Sequence, residues 1–243
     1  MPVFNERATL EQIVEQVRGV DLTVNTDGSN RQIDGSVTLE REIVIVDDGS
    51  TDGTRDILDQ WKQNLPTDMQ IIYHDQNGGK GAALRTGFAS ASGDLIVVQD
   101  ADMEYDPADY EKLLAPILAG EADVVYGSRF LDRGATEAHY LIHGLANRFL
   151  TGLSNVLTGL KLTDMETCYK LVPKRLLDQI TITENRFGIE PEITAKLAHM
   201  TPKPRVVEVA VSYVNRSYEE GKKIGWKDGV SAIRCILKFN LGR

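Results

Sequence analysis

The chain has 243 residues, 42% hydrophobic and 26% charged, with a formal charge of −9. These values fit one large folded domain and exclude a disordered or fibrous chain. They also exclude non-specific nucleic-acid binding, which needs basic patches. The charge is uneven, because residues 216–243 hold seven basic against three acidic residues. A basic tail on an acidic body suggests an anionic partner at one place only. Cys168 and Cys235 are too few for a disulfide framework and lack metal-ligand spacing, so reduced thiols in a cytosolic setting are expected. No charged-then-apolar leader and no bilayer-length apolar run is seen, which points the same way.

Short β-branched runs alternate with helical patterns along the first half. Residues 43–46 read as a strand, followed by the polar turn 47–53 and a helix to about residue 64. A strand is predicted over 69–73, a helix over 79–91 and a buried strand over 95–98. A helix follows over 107–118, with Pro107 in its first turn, then a strand over 123–126. Continuous apolar strands between helices predict an α/β sheet covered on both faces. Later come helices over 141–160 and 190–200, a strand over 206–214 and a last helix after Gly225. The polar stretch 23–40 reads as a surface loop or hairpin. One domain over 1–215 is expected, with a basic amphipathic extension over 216–243.

In open α/β sheets, ligands sit beyond the carboxyl ends of the strands. Asp47 and Asp48 follow one such strand, and Asp100 and Asp102 follow another. Residues two apart in an extended stretch point the same way, so Asp100 and Asp102 can converge on one cation. Glu104 adds a third carboxylate if the chain stays extended. Hard oxygen ligands favour Mg²⁺ or Mn²⁺ over zinc, and a dicarboxylate–metal clamp suits a diphosphate. Asp52 and Asp106, by contrast, read as helix caps. The Gly-rich turn Asn77–Ala83 opens a helix with Lys80 inside it, a cradle for an anion or a simple turn. Arg129, after another strand, is placed to meet phosphate. His139 and His143 share a helical spacing but have no third metal ligand.

Together these pieces resemble the GT-A glycosyltransferases of family 2, most closely the dolichyl- or polyprenyl-phosphate sugar transferases. The resemblance is carried by Pro2-Val-Phe-Asn-Glu6, the Asp47–Asp52 turn, Gly79-Lys-Gly81, Asp100-Ala-Asp102, Gly127-Ser-Arg129, Thr167-Cys-Tyr-Lys170 and residues 216–222. It implies a GT-A fold with a mixed central sheet flanked by helices. It implies that Pro2, Phe4 and Glu6 line the nucleotide base and ribose, and that Asp48 reads the base. Asp100, Ala101 and Asp102 look like the DxD motif, with Asp100 near ribose and metal and Asp102 on the metal. Glu104 stands where the family often has Gln, which also reaches the metal. Arg129, Arg216 and Lys222, with Lys80 in its turn, would hold the donor diphosphate or an acceptor phosphate. The family has a full apolar strand before the motif that begins here at Pro2, so a first strand cut short is expected. Many relatives also end in transmembrane helices, and this chain shows none.

The implied reaction is inverting transfer of a hexose from GDP-mannose or UDP-glucose to a polyprenyl phosphate. An ionised phosphate acceptor needs a cationic clamp, whereas a saccharide hydroxyl needs a carboxylate base. Arg129, Arg216, Lys222 and Lys223 offer the clamp; Asp164, Glu190 and Glu192 offer the base. A catalytically silent nucleotide-sugar binder is the reading from another class. In the last helix, Trp226, Val230, Ile233 and Leu237 form one stripe, with Lys227, Arg234 and Lys238 beside it. Such a helix either rests on an anionic membrane surface or packs on the domain. A peripheral enzyme on the cytoplasmic face of a membrane is expected.

Overall fold

The computed structural model describes residues 1–26, 35–131, 141–215 and 226–242. The chain opens with β1 (Pro2–Val3), α1 (Leu10–Gly19), β2 (Thr23–Thr26) and β3 (Gly35–Thr38). Next come β4 (Ile43–Asp47), α2 (Thr54–Lys62), β5 (Met69–Tyr73), α3 (Lys80–Ser90) and β6 (Leu95–Val97). A 3₁₀ turn over Pro107–Asp109 leads into α4 (Tyr110–Leu118) and β7 (Val124–Ser128). The second half holds α5 (Leu141–Thr158), β8 (Lys170–Pro173), α6 (Lys174–Leu177), α7 (Ile189–Ala198), β9 (Val206–Ala210) and α8 (Trp226–Leu241).

The strands form a parallel three-stranded sheet, β1-β4-β5, and a mixed four-stranded sheet, β6-β8-β7-β9. The architecture is α/β, with mixed sheets flanked by helices, as the resemblance implied. All five residues of β4 are buried, as a parallel strand covered on both faces requires. β2 and β3 pair as an antiparallel hairpin within the polar 23–40 stretch. β1 is two residues long and runs beside the last two of β4, the short first strand that the sequence implied.

Three elements are absent from the expectations. In α1, Leu10, Ile13, Val14 and Val17 are buried at helical spacing, a signal that the sequence carried. β8 has only four residues and closes with Pro173, too short to stand out. α6 is a single turn. The strand expected over 206–214 stops at Ala210, because the chain there leaves β7 for the loop after β6. Ser212 N donates to Asp109 Oδ2 at 2.5 Å and Val214 N to the Glu104 carbonyl at 2.9 Å. Asp106 accepts from Ala108 N at 2.9 Å, and Asp52 from Thr54 N at 3.0 Å. Asp106 is the cap expected of it, whereas Asp52 lies one residue before Gly53, the N-cap of α2, so its bond to Thr54 N is a local turn and not the expected cap.

Candidate active site

The site gathers at the carboxyl ends of β4, β6 and β7. After β6 the chain does not stay extended as the metal triad required: Met103 adopts φ +62°. That left-handed residue turns the backbone after Asp102. Glu104 therefore swings onto Tyr213, whose hydroxyl donates to Glu104 Oε2 at 2.7 Å. Asp100 instead accepts from Lys80 Nζ at 2.8 Å. Among the described residues no three His, Cys, Asp or Glu side chains form a group that could hold a metal ion. In this geometry Glu104 turns to Tyr213 and Asp100 to Lys80, while Asp102 accepts from the Glu104 amide at 3.2 Å.

Asp102 still fits a divalent ion. Burial pushes its carboxyl up to about 7, and the neighbouring charges of Asp100 and Glu104 add to the shift. A cation beside it would reverse that penalty. Mg²⁺ keeps several waters and takes one or two protein carboxylates plus substrate phosphates, so a full protein cage is not needed.

Behind Asp100 runs a buried line of alternating charge. Lys80 Nζ lies 2.8 Å from Asp100 Oδ2 and 3.4 Å from Glu190 Oε1, and Lys170 Nζ lies 2.5 Å from Glu190 Oε2. Burial opposes the charge on Lys80, but Asp100 and Glu190 hold the ammonium well above its ordinary value. Burial also opposes the charge on Asp100, and Lys80 keeps it ionised. Cys168 sits among these groups with its thiol pushed well up by burial, an inert sulfhydryl. Lys80 is brought here by a close backbone approach. Gly79 has φ +95°, and a methyl on Gly81 would run into the Glu184 carbonyl oxygen.

Glu166 was not anticipated. Its Oε1 is buried with no hydrogen-bond partner. Burial, then the Glu190 charge, pushes its carboxyl up to about 7. Only its place inside the Asp164–Lys170 loop could have drawn notice in the sequence.

Arg129 and Asp164 meet on the other side. Arg129 Nε and Nη2 donate to the two Asp164 oxygens at 2.7 and 2.8 Å, and Asn147 Nδ2 donates to Oδ1 at 3.0 Å. Asp164 is fully buried, and its two oxygens hold the Arg129 guanidinium in place. The guanidinium lies 5.0 Å from the Tyr213 ring centre. The other two expected bases are also engaged. Glu190 is in the charge line, and Glu192 accepts from Thr183 N, Glu184 N and Lys196 Nζ at 2.8, 2.7 and 2.5 Å.

At the end of β4, Asp48 is buried and accepts from the Gly78 and Gly79 amides at 3.0 and 2.6 Å and meets His74 Nδ1 at 2.7 Å. It therefore anchors the glycine turn ahead of α3. Pro2 and Phe4 are partly exposed beside it, while Glu6 is buried and accepts from Thr9 Oγ1 at 3.0 Å. Ala101 is buried between Asp100 and Asp102. Arg216, Lys222, Lys223 and His139 lie outside the described residues.

Residues 1–181 match the family described as Glycosyl transferase family 2. Among curated relatives is an undecaprenyl-phosphate 4-deoxy-4-formamido-L-arabinose transferase of Proteus mirabilis. It is 25% identical over 91% of this chain and 61% of its own length. A dodecaprenyl-phosphate galacturonate synthase of Rhizobium johnstonii is 26% identical over 91% of the chain and 60% of its own. A dolichol-phosphate mannosyltransferase of Pyrococcus furiosus is 26% identical over 93% and 58%. The chain thus spans about three fifths of the length of these relatives. Glucosyl-3-phosphoglycerate synthase of Mycobacterium tuberculosis, solved with Mn²⁺, UDP and phosphoglyceric acid, superposes with a TM-score of 0.67 at 19% identity. That match covers 99% of this chain and 76% of the other.

Proposed function

Because the chain belongs to glycosyl transferase family 2, we propose that it moves a hexose from a nucleotide-diphosphate sugar, GDP-mannose or UDP-glucose, to a polyprenyl phosphate. The anomeric carbon inverts as the acceptor oxygen attacks in line and the diphosphate departs. Asp102, with Asp100 beside it, would hold Mg²⁺ or Mn²⁺, which offsets the charge of the diphosphate when bound. Pro2, Phe4, Glu6 and Asp48 would shape the nucleotide end. Lys80 keeps Asp100 ionised, and Arg129 faces the phosphates with its pose set in advance by Asp164. Preorganised cations of this kind stabilise developing negative charge without reorganising.

The observation that carries the acceptor is the state of the carboxylates. Asp164, Glu190 and Glu192 are each taken up by cations or amides, and a phosphate monoester, largely ionised near neutral pH, needs no base. The relatives named for undecaprenyl, dodecaprenyl and dolichol phosphates point to the same acceptor class. A second reading, transfer to a saccharide hydroxyl, is favoured by one residue, Glu166, whose unpartnered Oε1 would serve as its base.

The acceptor implies a membrane surface, with the enzyme peripheral on its cytoplasmic face. No helix among the described residues is long and apolar enough to cross a bilayer. α8 buries Ala232, Cys235 and Ile236 yet leaves Val230 and Leu237 exposed at 59% and 40%. It packs against α5, which exposes Leu145, Phe149 and Val156. Two adjacent helices thus present apolar residues outward, a face suited to lying in a lipid interface. The basic extension over 216–243 would belong to that surface.

Sugar transfer from labelled GDP-mannose and UDP-glucose to a short polyprenyl phosphate, with and without Mn²⁺, tests the proposal. Metal-dependent label in the organic phase supports it and names the donor. Donor binding without lipid labelling moves the reading to the hydroxyl acceptor if sugar is transferred, and to a silent binder if it is not.

A further inference from the structure

Residues 181–185 form an irregular strap between α7 and α3. Such a stretch needs a partner for each buried backbone polar group, and two of its amides turn to α7. Thr183 N and Thr183 Oγ1 both donate to Glu192 Oε1 at 2.8 Å, and Glu184 N donates to Glu192 Oε2 at 2.7 Å. Lys196 Nζ, one turn further along α7, bridges Glu192 Oε1 at 2.5 Å and the Thr181 carbonyl. Glu192 is fully buried, and a carboxylate offers about four acceptor positions. Four donors fill them, three from the strap.

The oxygens of the strap turn the other way, to α3. Asn185 O accepts from Ala82 N at 3.1 Å. Ile182 O accepts from Arg85 Nη1 at 3.4 Å, and Asn185 Oδ1 from Arg85 Nη2 at 2.8 Å. The first of these bonds replaces a helix cap. α3 begins behind Gly79, which has no side chain to satisfy the first-turn amides, and the strap carbonyl does so instead. The approach is so close that methyls on Gly79 and Gly81 would run into the Asn185 and Glu184 carbonyl oxygens. Lys80 stands between these two glycines, and its Nζ reaches Asp100 Oδ2 at 2.8 Å. Where the strap rests therefore sets where the Lys80 side chain starts.

We propose that Glu192 is a positioning residue for the donor site: by holding the strap against Gly79 and Gly81, it seats Lys80 on Asp100. This role rests on the reading of Lys80 and Asp100 as parts of the nucleotide-sugar site. α7 then supports Lys80 twice, directly from Glu190 Oε1 at 3.4 Å and through the strap from Glu192. The position requires a carboxylate. A glutamine there presents an NH₂ group to partners that also donate, so at least one contact turns repulsive. The strap then lifts from α3, the Ala82 amide loses its acceptor, and Lys80 is no longer fixed against Asp100.

The test is calorimetric binding of GDP and of UDP, each with Mn²⁺, to the full chain, followed by transfer kinetics. In Glu192→Gln the dissociation constant of the nucleotide that the parent binds should rise at least tenfold. The donor KM should rise with it, while kcat at saturating donor and the acceptor KM stay within twofold of the parent. A residue that merely supports the fold would lower kcat through the active fraction and leave the dissociation constant unchanged, which overturns the inference. Gly81→Ala parts the same strap from the same turn, so the double variant should bind nucleotide no more weakly than the weaker single variant. Losses that multiply overturn the inference. Should Glu192→Gln fail to fold, Thr183→Val takes its place, since that exposed residue keeps its amide bond and loses only the hydroxyl bond. About threefold weaker nucleotide binding is then expected, and unchanged binding overturns the inference. A parent that binds neither nucleotide overturns the donor reading of the site and this role with it. Equal binding by parent and variant overturns this role alone.

Discussion

Arg129 and Asp164 form a two-pronged ion pair at 2.7 and 2.8 Å, and the Arg129 amide adds a third bond to Asp164 at 3.1 Å. The pair fixes the guanidinium plane before any substrate arrives. Asp164→Ala would strand that cation in a buried place, at a cost of about 3–5 kcal/mol. For a chain of this size the thermal midpoint should fall by roughly 10 °C. Asp164→Asn keeps the volume but loses the charge. It should retain the fold and lose at least tenfold in sugar transfer. Full transfer by that variant would show that the pose of Arg129 is unimportant.

Asp102→Asn removes the carboxylate that fits a cation while keeping its shape. Transfer should drop to background at any Mn²⁺ concentration. The rise in midpoint that donor and Mn²⁺ together give the parent should disappear, with the unliganded midpoint near the parent value. Mn²⁺-dependent turnover in the variant would remove Asp102 from the metal.

Glu166 makes stability depend on pH. Its folded-state value of about 7 lies above the ordinary carboxylate value of 4.5. The native state therefore holds a proton that the unfolded state has released, and stability falls as pH rises between those two values. Glu166→Gln removes that penalty. Its midpoint relative to the parent should climb from pH 5 to pH 8, by the equivalent of about 1–3 kcal/mol. A constant difference across the range would mean an ordinary carboxylate. The same variant distinguishes the acceptors: lipid transfer should survive, whereas transfer relying on Glu166 as base should be lost.

Gly81→Ala examines the approach that delivers Lys80 to Asp100. The added methyl meets the Glu184 carbonyl and the Asn185 backbone, rigid atoms that cannot step aside, so a loss of about 1–3 kcal/mol is expected. Donor affinity should fall with it. Wild-type stability in chemical denaturation would show that the two segments separate freely.

The outward residues of α5 and α8 predict lipid binding. A Phe149→Glu and Leu237→Glu double variant should float with anionic vesicles at least tenfold less than the parent. Its midpoint should hardly change, since both side chains are exposed. Undiminished flotation would place the membrane contact elsewhere.

Strand and helix positions from β4 to β7 were legible because they depend on local patterns. β4 and β5 are short β-branched runs between turn residues, and Asp52 and Asp106 accept from amides only two residues on. Asp100, Asp102 and Arg129 were legible as residue types at the ends of strands. Their partnerships were not. Whether Glu104 joins Asp102 depends on one left-handed residue, Met103. Whether Asp164 is a base or an anchor depends on Arg129 and Asn147, 35 and 17 positions away. Glu166 carries no local sign of its unpaired oxygen, and the strap beside Gly81 exists only once distant segments are laid side by side. The sequence by itself determined the elements and the chemical groups at their ends, since propensity and spacing act over a few residues. Tertiary structure alone decided which charges are spent on one another and which are left for a ligand, because burial and pairing depend on segments far apart in the chain.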